Sequence, residues 1–101
     1  MTKPLKPGDA IREARRLIEQ GAVAFTPHVQ TRMKEREFGL RDISRAFDVG
    51  RINRAPEWDA KRKKWKYTVD GTDVEGDSLS IVFAFDDGTL VIITGYRRDT
   101  V

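Results

Sequence analysis

Leu79-Ser80-Ile81-Val82-Phe83-Ala84-Phe85-Asp86-Asp87-Gly88-Thr89-Leu90-Val91-Ile92-Ile93-Thr94-Gly95-Tyr96 is the stretch, residues 79–96, that decides the fold. Its two halves are rich in β-branched and aromatic residues, and the Asp-Asp-Gly sequence between them is typical of a hairpin turn. Each half is apolar at consecutive positions, so both faces of each strand are apolar. Strands of this kind lie at the centre of a sheet with helices on at least one side. The stretch therefore predicts a central antiparallel hairpin.

The residues before this hairpin predict further strands. Trp65, Tyr67 and Val69 alternate with polar residues, which is the period of a strand with one buried face. Ile52 is predicted to open an earlier edge strand. The segment 70–77 is polar and glycine-rich, and it is predicted to be a loop.

Helical signals fill the first half of the chain. Asp9 is predicted to cap a first helix that runs to about Gln20, and a second helix follows Thr26, with proline at its first position. A third helix is predicted over residues 40–49, and the residues around Val23 and Phe25 form a short extended connector. The predicted fold is α+β: two to three N-terminal helices packed on a three- to four-stranded, mainly antiparallel sheet. We expect a single domain, 1–101, with residues 1–8 as a flexible lead-in.

Composition excludes several classes of function. The chain has 101 residues, no cysteine and one histidine, so a disulfide, a thiol nucleophile and a histidine-rich metal site are excluded. No cofactor or metal is therefore expected. No apolar run approaches the roughly 18 residues that a membrane span requires, and no secretory signal precedes the first helix, which predicts a cytoplasmic protein without membrane contact.

The second predicted helix carries the most distinctive pattern. His28, Arg32 and Arg36 are spaced at i, i+4 and i+8 and form one row, beside an apolar stripe of Val29 and Met33. Such a row can face an anion. Two other interpretations stay open: the histidine can be a surface or interhelical hydrogen-bonding residue, and the arginines can pair with Glu35, Asp42 or the acidic loop.

Charge is unevenly distributed along the second half. Residues 51–66 contain seven basic and two acidic residues, whereas residues 70–87 contain six acidic residues and no basic one. The basic segment also contains Trp58 and Trp65, a combination suited to phosphate binding and base stacking. The alternative is a solvated strand and loop in which both tryptophans serve packing.

A family resemblance covers residues 22–98. Thr26-x-His28 followed by Arg32-Met33-x-Glu35-Arg36, then the short helix before Gly50 and the terminal Val91-Ile92-Ile93-Thr94-Gly95-Tyr96-Arg97, resembles a bacterial domain-of-unknown-function family with a His-x3-Arg-Met-x2-Arg helix signature. That family is similar to the RelE-like toxins and to the motility-quorum-sensing-regulator toxin. The chain departs from the signature at Val29, where a small residue is usual, and at residues 37–39, which lengthen the step to the third helix.

The resemblance implies a metal-independent endoribonuclease of a type II toxin–antitoxin pair. In such enzymes the ribose 2′-hydroxyl attacks the adjacent phosphate while side chains move protons and hold the developing charge. The implied catalytic residues are His28 as base or acid, Arg32 on the phosphate and Tyr96 as a hydroxyl donor. The implied RNA- or phosphate-binding residues are Arg36, Lys64, Lys66, Arg97 and Arg98. The implied partners are RNA and an acidic or DNA-binding antitoxin.

Two alternatives belong to other classes of function. The same surface can belong to a non-catalytic module that binds nucleic acid or an acidic peptide, or to a small interaction protein whose charges serve solubility. Binding to phosphates weakens steeply with rising ionic strength, which distinguishes the binding module from the interaction protein. Turnover distinguishes the enzyme from both of these alternatives.

Overall fold

The chain forms three helices and five strands within residues 3–98, the part that this computed structural model describes. In chain order the elements are α1 (Pro7–Glu19), β1 (Val23–Phe25), α2 (Pro27–Glu35), α3 (Leu40–Val49), β2 (Glu57–Asp59), β3 (Lys64–Thr72), β4 (Ser78–Asp86) and β5 (Thr89–Tyr96). The predicted α+β class is confirmed: three helices pack on a mixed, mostly antiparallel sheet.

The sheet has the strand order β1-β5-β4-β3-β2, so β4 and β5 are both flanked by other strands. This confirms the central hairpin. Asp87 and Gly88 form its turn with φ values of 49° and 79°, which is the left-handed pair that a two-residue type I′ turn requires. The register shifts between Val82 and Phe83, where a β-bulge interrupts the β4–β5 ladder.

The two edges of the sheet differ from the prediction. The connector at Val23–Phe25 is strand β1, which pairs in parallel with residues 90–92 of β5. The outer strand on the other side is β2 rather than a strand opened by Ile52. Arg51 makes only an isolated bridge to Asp70, with N–O distances of 3.0 and 2.9 Å.

Strand β3 also extends further than expected, because residues 70–72 belong to it and the loop starts at Asp73. Gly71 lies on the helix-packed side of β3, where a Cβ atom would stand 2.5 Å from the Ala46 carbonyl oxygen of α3. The glycine that suggested a loop is therefore the residue that lets α3 approach the strand closely.

The helix starts follow local capping rules with one exception. The Thr26 hydroxyl accepts a hydrogen bond from the Val29 N–H at 3.1 Å, as predicted for the start of α2. Helix α1 begins at Pro7 instead of after Asp9, since proline suits the first helical position. Asp9 lies in the first turn and pairs with Arg12.

Of the predicted lead-in, residues 1–8, the structure describes residues 3–8, and residues 1 and 2 lie outside the described part. Pro7 and Gly8 are helical, and the Leu5 N–H donates to the Tyr67 hydroxyl at 2.8 Å. The chain before α1 is therefore attached to β3.

All three helices pack on one side of the sheet, where the core lies. Phe47 of α3 meets Phe83 of β4 edge-on, with ring centroids 4.8 Å apart. Within residues 3–98, no helix is both long and apolar enough to cross a membrane. The opposite side of the sheet, here called the polar face, carries the alternate residues of the strands: Lys64, Lys66, Thr68, Asp70, Ser80, Val82, Thr94 and Tyr96.

Candidate functional site

A cluster of polar side chains occupies the polar face around the carboxylate of Asp70. The Ser80 hydroxyl donates to this carboxylate at 2.7 Å, and the Arg54 Nη2 donates at 3.3 Å. The Asn53 amide donates at 3.2 Å, and Arg98 Nη1 lies 3.5 Å away. We call Arg54, Asp70, Ser80, Tyr96 and Arg98 the tyrosine cluster.

Strand register brings this cluster together. Asp70 is the cross-strand partner of Ser80, and Ser80 is the partner of Tyr96, so three adjacent strands contribute one row. Side chains in such a row are about 5 Å apart and point to the same face. Arg98 follows Tyr96 by two residues, and its guanidinium donates to the Ser80 hydroxyl at 2.7 Å.

Arg54 completes the cluster from the segment between α3 and β2. Its Nη1 donates to the Tyr96 hydroxyl at 3.3 Å, so the phenol oxygen lies beside a positive charge. A phenol in this position can still donate its own proton to a bound oxygen. The cluster therefore offers two guanidinium groups and one hydroxyl donor at one place on the polar face.

The charge of the cluster depends on Asp70. Burial alone would raise the pKa of this carboxyl, but hydrogen bonds from Ser80 and Asn53 and the charges of Arg54 and Arg98 hold it below 3.8. Asp70 is therefore ionised at neutral pH. With two arginines and one aspartate, the cluster keeps one net positive charge.

Lys64 and Lys66 lie on the polar face of β3, on the same side as Asp70. Lys64 pairs with Asp86 at 3.0 Å and Lys66 with Glu57 at 3.8 Å. Both carboxylates are more than half exposed, at 57% and 71%, and exposed ion pairs contribute little free energy. A phosphate group can therefore replace either carboxylate at low cost.

The row on α2 stands apart from the tyrosine cluster. His28 is exposed, Arg32 is half-buried, and Val29 between them is buried in the core. Across residues 3–98 the side chains of His28 and Arg32 have no hydrogen bond and no ion pair. No such interaction within these residues therefore connects either of them to Tyr96. Ion pairs from Arg32 or Arg36 to Glu35 or Asp42 are likewise not found in this range.

Arg97 and Arg36 lie together in an acidic hollow, outside the tyrosine cluster. The Arg97 guanidinium donates to Asp73 at 2.8 Å and to the Arg36 carbonyl oxygen at 3.4 Å. Both arginines line a hollow of about 320 Å³ together with acidic side chains, which repel phosphate. These acidic residues are Glu37, Asp42, Asp73, Glu75 and Asp77. The structure thus brings Tyr96 and Arg98 together and places Arg97 elsewhere.

Asp73 explains why Arg97 is held there. Its side chain, 5% exposed, accepts hydrogen bonds from the N–H groups of Glu75 and Asp77 at 2.9 Å each. Burial would raise the pKa of Asp73, but these N–H groups and Arg97 keep it below 3.8. The Arg97–Asp73 pair therefore fixes the loop after β3.

Three residues of the tyrosine cluster escaped sequence analysis, namely Arg54, Asp70 and Ser80. The polar, glycine-rich sequence around Asp70 predicts a loop, and a loop residue is not expected to pair with Ser80 across a sheet. Arg54 comes from irregular chain, and no periodic pattern places it. The signal that was available is the strand period, which puts Tyr96 and Arg98 on one face and Arg97 on the other.

The fold and the site define a class of protein: a small α+β domain with a cationic, tyrosine-containing cluster on the polar face of its sheet. The chain belongs to the family described as Domain of unknown function (DUF4258), whose sequence profile matches residues 25–97. This range contains α2 and every residue of the tyrosine cluster except Arg98, which follows it directly, whereas α1 precedes the range. No curated protein and no solved structure matches the chain significantly.

The lowered pKa values of Asp70 and Asp73 predict how stability depends on pH. A carboxyl whose folded pKa lies below its unfolded value stabilises the fold above the unfolded pKa, and this stabilisation is lost as the pH falls through the folded pKa. We expect the unfolding midpoint in urea to fall as the pH drops below about 3.8. The midpoint difference between the wild type and Asp70→Asn should shrink over the same interval. Asp87→Asn, in the exposed hairpin turn, is the control, and a difference for Asp70→Asn that stays constant down to pH 2 would contradict the assignment.

Proposed function

We propose that this protein is a metal-independent RNA-cleaving enzyme of the RelE-like type and that the reaction takes place at the tyrosine cluster. The observation that supports this most is the 3.3 Å contact between the Arg54 guanidinium and the Tyr96 hydroxyl, with Arg98 in the same cluster. Arginine suits this role because its planar guanidinium binds two phosphate oxygens at once and stays protonated.

The proposed reaction is an internal transfer. The 2′-oxygen of the ribose bonds to the adjacent phosphorus, the bond from phosphorus to the 5′-oxygen of the next nucleotide breaks, and the products are a 2′,3′-cyclic phosphate and a free 5′-hydroxyl. Arg54 and Arg98 hold the negative charge that develops on the phosphate. The Tyr96 hydroxyl donates a proton to the departing 5′-oxygen, and solvent then reprotonates the phenolate while the general base returns to solvent the proton that it took from the 2′-hydroxyl.

The 2′-hydroxyl proton goes to a general base, and His28 is the candidate. Histidine is the usual general base at neutral pH, and His28 is exposed on α2. Arg32 belongs to the same proposal as a phosphate ligand, because it has no acidic partner within the described residues. His28 and Tyr96 lie on opposite sides of the sheet, so one phosphate can meet both groups only at the edge of β5 beyond residues 90–92, where β1 no longer pairs with it.

An acidic or DNA-binding antitoxin is the proposed partner. The free His28 and Arg32 side chains suit a carboxylate-rich segment, which would cover α2 and exclude RNA. This part of the proposal also accounts for a cationic row that forms no ion pair within residues 3–98.

The proposal is tested by incubating the purified chain with single-stranded RNA in EDTA and identifying the product ends. We expect cleavage that yields 5′-hydroxyl ends, growth arrest when the chain is expressed alone, and loss of both in His28→Ala and Arg32→Ala. Lys34→Ala is the matched control, because Lys34 is an exposed cation on the same helix outside the row. Intact RNA with the folded wild-type protein would overturn the enzymatic proposal.

A non-catalytic binding module is the second candidate, and one observation favours it. Asp70 already partners both arginines of the tyrosine cluster, and no buried side-chain polar atom lacks a partner in the described part of the chain. A surface so satisfied can hold a strand without reacting. Under this alternative RNA binds, weakens steeply as salt rises, and stays intact.

A further inference from the structure

A second hollow lies at the start of β3, next to the residues that precede α1. Its volume is about 270 Å³, near the lower limit of small-ligand pockets, roughly 300 Å³. Three aromatic side chains line it: Trp65, Tyr67 and Phe85. Tyr67 and Phe85 meet edge-on with ring centroids 5.8 Å apart, so the hollow has an aromatic wall of fixed geometry.

The rest of the lining is mostly cationic. Lys3, Lys63 and Lys64 line the hollow, against a single carboxylate, Glu13, which is paired with Arg16 at 2.5 Å. Lys3 and Lys63 are exposed and make no ion pair within residues 3–98. Aromatic rings beside lysines are the combination that binds unpaired nucleotides, since a base stacks on a ring while its phosphate meets the cations.

The hollow is also connected to the tyrosine cluster along one strand. Lys64 lines the hollow and lies on the polar face, where Lys66 comes next and Asp70 follows. At 3.3 Å per residue, Lys64 and Asp70 are about 20 Å apart along β3. Two cations, Lys66 and Lys64, therefore lie on the polar face between the tyrosine cluster and the hollow, with Thr68 between Lys66 and Asp70. The aromatic wall faces the other side of β3, so a strand that reaches it turns around the start of β3, where Lys63 and Lys64 lie.

We infer that this hollow binds the base of one unpaired nucleotide in a single-stranded RNA whose backbone follows Lys66 and Lys64 to the tyrosine cluster. This inference rests on the proposed function, because it names a substrate class and a contact for the same RNA. A double helix cannot place a base against Trp65 without unpairing it, so the hollow selects single strands.

The test uses the full chain with the substitution Trp58→Phe, which leaves Trp65 as the sole tryptophan. The probes are a 2′-O-methyl RNA oligonucleotide, which lacks the attacking hydroxyl, and an abasic ribose-phosphate oligomer of equal length. We expect the base-containing strand to quench Trp65 fluorescence and to bind at least about fivefold more tightly than the abasic one. Equal affinities with unchanged fluorescence would overturn the inference.

A pair of substitutions tests the hollow without touching its aromatic wall. Lys63→Gln should reduce the slope of log K against log salt by about 0.7, the contribution of one phosphate contact on a single strand. Lys61→Gln removes the same charge from the same turn but lies outside the hollow, and it should leave the slope unchanged. Equal slopes in both variants would count against the hollow.

These outcomes separate the inference from the proposed function. If the 2′-O-methyl strand quenches Trp65 but natural RNA stays intact, the hollow stands and the enzymatic proposal fails. If natural RNA is cleaved while abasic and base-containing strands bind with equal affinity, the enzymatic proposal stands and the inference about the hollow fails. Quenching by polyglutamate in place of RNA would assign the hollow to an acidic peptide and overturn the inference.

Discussion

Replacing Tyr96 with phenylalanine is expected to slow RNA cleavage by at least about 100-fold, the lower range of what a general acid contributes. The phenol is the one hydroxyl of the tyrosine cluster that lies beside Arg54, at 3.3 Å. Without it the departing 5′-oxygen must take its proton from water. Because phenylalanine keeps the ring, packing on the polar face is retained and the loss falls on the chemical step.

The measurement is single-turnover cleavage of an RNA oligonucleotide in EDTA, together with the urea unfolding curve of each variant. The folded state should lose at most about 1.5 kcal/mol, the value of one hydrogen bond. Thr94→Val is the matched control, since it also removes a hydroxyl from the polar face of β5 and leaves the tyrosine cluster intact. Its cleavage rate should equal that of the wild type.

Arg54→Gln provides a second measurement at the same place. The amide keeps a hydrogen-bond donor near Tyr96 but removes the positive charge that would stabilise the phosphate in the transition state. Cleavage should fall again, whereas Arg51→Gln, at an exposed arginine outside the cluster, should not change it. If Tyr96→Phe and Arg54→Gln both cleave normally while His28→Ala is inactive, the reaction belongs to α2 and not to the polar face.

The parts of the fold that local signals encode were predictable. The hairpin of β4 and β5 is indicated by β-branched residues and the Asp87-Gly88 turn. The start of α2 is indicated by Thr26 and Pro27. Each of these signals acts within about four residues of the place that it determines. Sequence analysis therefore assigned the central strands and α2 correctly.

The edges of the sheet were less predictable because their causes are distant in the sequence. Strand β1 has three residues and forms only by pairing with β5, where Val23 lies beside Leu90. Nothing inside so short a segment distinguishes a strand from a connector. Strand β2 is equally short, and it depends on Trp58 meeting Trp65, with ring centroids 5.4 Å apart.

The candidate site also contains residues that the local sequence predicts and residues that it does not. Tyr96 and Arg98 could be expected together from the strand period, but the carboxylate of Asp70, which pairs with Arg98, could not. Asp70 reaches the cluster only through the register of three strands, and Arg54 only through the course of the segment after α3. A residue that reaches a site through tertiary contacts leaves no mark in its neighbouring sequence.

Substitution of Gly71 is predicted to have the largest effect on stability. Its chain neighbour Asp70 holds the tyrosine cluster, while Gly71 itself lies against α3. A Cβ atom at this position would stand 2.5 Å from the Ala46 oxygen and 2.8 Å from the Ala46 Cα. Both are backbone atoms of a helix, so they cannot move aside as a side-chain end can.

We therefore expect Gly71→Ala to lower the free energy of unfolding by about 3 kcal/mol, the upper range for overpacking a core. Helix α3 must move away from β3, which loosens the contact of Phe47 with Phe83. Urea unfolding at neutral pH measures the loss. Gly8→Ala is the control, because its Cβ would make only an ordinary contact, 3.7 Å from Arg12, and should stabilise α1 by about 0.5 to 1 kcal/mol.

The double variant Gly71→Ala with Ala46→Gly identifies the atoms responsible. If the Ala46 backbone causes the loss, removing the Ala46 methyl group cannot relieve it. Ala46→Gly then adds only its own cost, about 1 kcal/mol for glycine in a helix interior and about 0.8 kcal/mol for the buried methyl group. The two free-energy losses should then add. A double variant more stable than this sum would mean that the methyl group is the obstacle, and a single Gly71→Ala variant as stable as the wild type would show that α3 can shift without cost.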